Sequence, residues 1–174
     1  MTYTEVKRHD PYLFIKNFAS ANDIVDGKLS DSKRDEMIAI VHSHNDDVAG
    51  FVLNDSVDVR LQTVEADTFG KYQPMFHLHS GNITRNNPKW TSIITITDHN
   101  DTVGGDMMIR DLQQQPQRDN YGDWIGNPDD PYVPGWASNF GSLVVVPSIS
   151  IMGYNLCTEG PIQRLYYDFT GVYK

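Results

Sequence analysis

A single cysteine, Cys157, leaves no internal disulfide framework in these 174 residues and fits a reducing compartment. Basic residues are scarce: Lys and Arg total 14 against 23 Asp and Glu, a net charge of −9. Like charge then repels a nucleic-acid backbone or an anionic membrane, so neither is expected as a partner. No apolar run approaches the ~20 residues of a membrane-spanning helix. The opening residues, Met1 to Arg8, have no apolar segment behind them, so no secretory signal is expected. A Gly-rich phosphate loop, a Ser/His/Asp order signature and a CxxC pair are also missing. Cys157 falls in an apolar stretch and reads as a small core residue rather than a nucleophile.

What is present is a soluble-type composition, 39% hydrophobic, in a length that suits one domain with a real core. Residues 1–56 read as a supporting strand and helix, and 57–174 as a β core with an inserted loop at 112–140. Tyr12 to Phe18 is a short apolar strand. Ala19 to Gly27 is a turn with about one turn of helix. Asp31 to His44 is a helix with Met37, Ile40 and Val41 on one face and Ile38 at its edge. Ser32 and Asp35 suggest its capping box, and Asn45-Asp46-Asp47 its end. Val57 to Ala66 alternates, with Val57, Val59, Leu61 and Thr63 on one face and Asp58, Arg60 and Gln62 on the other, as a half-buried strand does. Trp90 to Thr97 is rich in β-branched residues and reads as a central strand. Asp98 to Asp101 is a turn, and Gly104-Gly105 opens a strand over Asp106 to Arg110. A strand and helix followed mostly by strands is α+β with a β sandwich or barrel.

Leu112 to Phe140 has little periodicity but several aromatics, among them Tyr121, Trp124, Tyr132 and Trp136. Such a loop either folds onto its own core or presents a contact surface, because Tyr and Trp dominate binding hot spots. Those four residues are the candidate partner-binding set. As stacking platforms, Trp124, Tyr132 and Trp136 would instead suit a carbohydrate. The spacing around Asp129 and Asp130 lacks the alternating oxygen ligands of a calcium loop.

The last third, Gly141 to Gly171, joins two apolar β-rich runs by a turn at Thr158-Glu159-Gly160-Pro161, a hairpin-like pair. Its wording, Gly-Ser-Leu-Val-Val-Val-Pro-Ser over 141–148, then Thr158, Gly160 and an aromatic final strand, resembles the iron(II)/2-oxoglutarate dioxygenases of the prolyl-hydroxylase-like branch. The central strand and the following Gly104-Gly105 also match that pattern. The resemblance covers about Tyr12 to Gly171 and implies a double-stranded β-helix, or jelly roll. In the family, two His and one carboxylate hold iron(II) and leave open positions for a keto acid and oxygen, while a cation pairs with the far carboxylate of 2-oxoglutarate.

Here the resemblance puts Met152 at the distal His position and Ile162 at the cation position. Phe76-His77-Leu78-His79-Ser80-Gly81 aligns with the His-x-Asp pair, either as His77 with His79 or as His79 with Gly81. Neither register supplies a carboxylate. Arg164 would share a strand face with Ile162 and could be a displaced anchor. His77 and His79 at i, i+2 could hold another metal, with His99 as a third ligand. The resemblance with these substitutions implies a fold that has lost its chemistry, needs no cofactor and is reused to bind other protein subunits. Small domains of this branch are common in tailed phages, so a virion component in a particle or the host cytoplasm is the expected context. A working hydroxylase using Fe(II) and 2-oxoglutarate with non-standard ligands is the alternative, and a carbohydrate-binding jelly roll a second.

Overall fold

The structure is a computed structural model, and it describes residues 3, 5–65, 77–78, 89–97, 103–104, 107–110, 117–118, 120, 124–125, 133, 140–147, 150–154, 157–159 and 161–173. Along the chain come β1 (Val6–His9), β2 (Tyr12–Ile15), a 3-10 turn at Ala21–Asp23, β3 (Ile24–Val25), β4 (Lys28–Leu29), α1 (Asp31–Val48) and β5 (Val52–Val64). Then follow β6 (His77–Leu78), β7 (Trp90–Thr95), β8 (Val103–Gly104), β9 (Met107–Arg110), β10 (Gln117–Arg118) and β11 (Trp124–Ile125). The chain closes with β12 (Leu143–Pro147), β13 (Ile151–Tyr154), β14 (Cys157–Glu159) and β15 (Ile162–Val172).

A six-stranded antiparallel sheet has the order β1-β2-β12-β7-β15-β5, and a smaller one the order β6-β13-β9. The chain alternates between them: β5 large, β6 small, β7 large, β9 small, β12 large, β13 small, β15 large. That alternation winds a jelly roll around the space between two faces. One core lies between α1 and the outer face of the large sheet, where Met37 and Val41 meet Leu13, Ile94, Leu143, Leu165 and Phe169. Burying Met37 and Val41 stabilises by about 2 kcal/mol each. The second core lies inside the roll, where Phe14, Ile93, Val144 and Tyr166 meet Met107 and Ile109 of the small sheet and Val133.

Several expectations change. The Gly141–Gly171 runs do not form a hairpin with each other. β12 and β15 share the large sheet with β7 between them, while β13 crosses to the small sheet. The expected apolar first strand ends at Ile15 rather than Phe18. α1 passes Asn45-Asp46-Asp47 and ends at Val48, because Asn45 is buried and occupied by the core rather than capping the helix. The N-cap is Ser30, whose Oγ accepts the Lys33 N–H, rather than a Ser32–Asp35 box. The alternating strand runs from Val52 to Val64, longer than expected, and its apolar row reaches beyond the helix: Val59 is 36% and Leu61 51% exposed. β7 is central and wholly buried, as its β-branched residues indicate.

Lys33 lies on the buried face of α1, below the rings of Phe18 and Tyr3. Its Nζ donates to Tyr3 Oη and Glu36 Oε2, both at 3.1 Å, and Tyr3 donates to Glu36 Oε1. Burial, the largest single effect, would lower the Lys33 pKa, but the hydrogen bonds to Tyr3 and Glu36 together with the charges of those two groups hold the ammonium above its ordinary value.

Candidate functional site

Among the described residues singled out in the sequence, His77 and Met152 lie on strands of the small sheet and Ile162 and Arg164 on a strand of the large one. On the small sheet, β13 pairs with β6 in a register that puts Met152 directly opposite His77, and with β9 so that Met152 also faces Ile109. Residues directly opposite in antiparallel strands share a face. His77, Met152 and Ile109 are thus successive register positions across three strands, and Ile109 is 2% exposed in the inner core.

The large sheet's wall is the inner surface of β15, β7 and β5. Arg164, 1% exposed, sits in register between Gln62 and Thr95. Ile162, two residues earlier on the same face, is also buried. One row further along, Tyr166 Oη donates to Gln62 Oε1 at 2.8 Å, and the Arg60 guanidinium lies 4.4 Å over the Tyr166 ring. Arg60 Nε donates to Asp168 Oδ2 at 3.2 Å, and Thr91 Oγ1 to Asp168 Oδ1 at 2.7 Å. The wall thus grades from an apolar centre at Phe14, Ile93 and Val144 to a polar margin at Arg164, Gln62, Arg60 and Asp168.

The register sets Met152 opposite His77 on neighbouring strands, and Arg164 lies on the inward face of the large sheet. His79, Gly81, His99, Tyr121, Tyr132 and Trp136 lie outside the described residues. Trp124 is on β11, paired with Arg118 of β10, and β11 runs beside β6. The 112–140 segment is therefore not structureless throughout. It contains the β10–β11 ladder, and Val133 is buried in the inner core with its N–H donating to the Ile109 carbonyl at 2.8 Å. Cys157 is in β14, opposite Gly104 of β8.

The donor set does not fit an iron(II) facial site. A thioether is soft and neutral, and no carboxylate stands in either reading of the His77–Gly81 stretch. The polar margin around Asp168 was not foreseen. Its only sequence signal is the alternation of Arg164, Tyr166 and Asp168 with Leu165, Tyr167 and Phe169, which places the first set on the inner face.

No protein-family model matches this chain, and no curated protein matches it. Among solved structures it is similar to one of the prolyl 4-hydroxylases from Phytophthora capsici, with a TM-score of 0.51 and 14% identity over 91% of this chain. This chain spans about half of that one, 48%. The likeness is one of fold: the chain has the double-stranded β-helix of a prolyl 4-hydroxylase.

Proposed function

We propose that this chain is a non-catalytic member of the prolyl-hydroxylase fold, reused to bind other protein subunits in a larger assembly such as a virus particle. The observation that supports the reading is the register that sets Met152 opposite His77 and Ile109. A metal-binding row of this fold would present a second imidazole where Met152 stands, and the upstream stretch offers no carboxylate to complete a triad. The aromatic segment around Trp124 supplies candidate contact residues for a protein partner, with Tyr121, Tyr132 and Trp136 from the same stretch.

One observation favours a second reading, an Fe(II)- and 2-oxoglutarate-dependent hydroxylase with unusual ligands. Arg164 is a buried cation on the inward face, of the kind that pairs with a dicarboxylate. Anaerobic calorimetry separates the two. The chain is titrated with Fe(II), with and without 2-oxoglutarate, beside a His77→Ala/His79→Ala variant. The non-catalytic reading expects no saturable heat from either. Saturable binding that the keto acid tightens and the variant abolishes would establish the hydroxylase reading instead.

A further inference from the structure

β5 is the terminal strand of the large sheet among the described residues, and it is long, running from Val52 to Val64. A terminal strand presents a row of backbone donors and acceptors, and natural sheets usually blunt such an edge with short length, proline or an inward charge. β5 contains no proline. Its inner row does carry charge, Asp58 and Arg60, while its helix-side row is apolar, with Val59 and Leu61 exposed.

The charges on the opposite face are arranged for a copy of the same strand. Consider β5 paired antiparallel with its own copy about a two-fold axis at Val59. Val59 then lies opposite Val59 of the second copy, Val57 opposite Leu61, and Asp58 opposite Arg60, the last two pairs each occurring twice. The apolar row continues across the junction on one face, and two opposite-charge pairs form on the other. Moving the axis by one residue destroys this. Centred on Asp58 the strand sets Asp58 against Asp58, and centred on Arg60 it sets Arg60 against Arg60.

A second observation concerns Asp58 within its own chain. Its cross-strand neighbour is Asp168, a like charge directly opposite. Asp168 is already engaged by Arg60 and Thr91, and Asp58 is exposed at the edge. An arginine arriving from beyond the edge would relieve that conflict. Arg60 is about half exposed while its Nε stays on Asp168, and its position two residues from Asp58 on the strand would set it opposite the second copy's Asp58.

We infer that β5 is a homodimer interface, joining two large sheets edge to edge in the register centred on Val59, with Asp58 and Arg60 fixing that register. This stands independently of whether the interior row binds metal. Sedimentation equilibrium of the chain should give a mass of twice 19.7 kDa. Val59→Lys, which sets two lysines face to face on the axis, should return the mass to one chain while leaving a cooperative thermal transition. Asp58→Arg and Arg60→Asp should each be monomeric alone and should form a mixed dimer when combined, because each then supplies the charge that the other lacks. A wild-type chain that stays monomeric overturns the inference. So does a dimer that survives Val59→Lys, or single-charge variants that fail to pair with each other while both remain folded.

Discussion

Asn45 shows how one side chain can join three parts of this molecule. It is 2% exposed on α1, and its Oδ1 accepts from the Phe51 N–H at 3.1 Å and from Trp90 Nε1 at 2.9 Å. Its Nδ2 donates to the Phe51 carbonyl at 2.8 Å. The helix, the turn into β5 and the central strand β7 are thereby fixed to one amide. Asn45→Ala leaves the buried indole N–H of Trp90 without its acceptor, and the loss should be about 3 kcal/mol by chemical denaturation. A loss below about 1 kcal/mol would show that water replaces the amide. His44, next along, is buried edge-on to Trp90 with Nε2 2.7 Å from the Pro11 carbonyl oxygen, so Nε2 carries the proton and donates.

Burial is the main reason the His44 pKa lies below its ordinary value near 6.5, and Arg8 lowers it further. The hydrogen bond to Pro11 and the charges of Asp10 and Asp47 act the other way. Folding therefore favours the neutral ring. Above pH 6.5 the ring is neutral folded or unfolded and its contribution is fully present. As pH falls from 6.5 towards the depressed folded value, the unfolded chain takes up the proton first and stability declines. Denaturation midpoints measured across that window should fall with acid, and His44→Gln should flatten the slope. A slope unchanged in the variant would assign it to other groups.

Among the elements, β12 shows why a short sequence motif has physical content. Gly141, at its entry, has φ +71°. Its N–H donates to Thr95 O at 2.8 Å and its carbonyl accepts from Ala19 N at 2.9 Å. A Cβ there would overlap the Ala19 carbonyl. Gly141→Ala combines a disfavoured φ with that clash and should cost more than about 2 kcal/mol, read from the shift in urea midpoint. A near-neutral Gly141→Ala would mean that the chain around Ala19, beyond the end of β2, yields. Strand identities were legible because alternation and β-branched runs report burial locally: β7, β12 and β15 all stand where their composition places them. Pairing was not legible. The Thr158–Pro161 turn suggests a hairpin, but the partner of a strand is decided by which face it must cover, and β13 leaves for the small sheet. α1 outran its expected end for a related reason. Asn-Asp-Asp favours helix ends only when those side chains are available to cap, and Asn45 is bonded elsewhere.

For the whole molecule, the jelly roll follows from strands alternating between two sheets, and both cores are apolar on that plan. The resemblance in the Gly141–Ser148 and Gly104 stretches pointed to the same fold that the solved prolyl 4-hydroxylase shares. The candidate site was legible in part. Alternation placed Arg164 on the same face as Ile162, whereas the sequence did not show that Met152 stands opposite His77 across two strands. The Asp168–Arg60–Tyr166 margin was not, because it depends on β5 lying beside β15, a contact more than a hundred residues apart in sequence. On the function proposed above, the scaffold lacks the carboxylate and the second imidazole of a metal site, at His79 and Met152. The most direct test is a gain of binding: His79→Asp with Met152→His, compared with the wild-type chain in anaerobic Fe(II) titration. Saturable Fe(II) binding is expected in the double variant and none in the wild type. Tight binding by the wild type, or no binding by a folded double variant, would contradict that function.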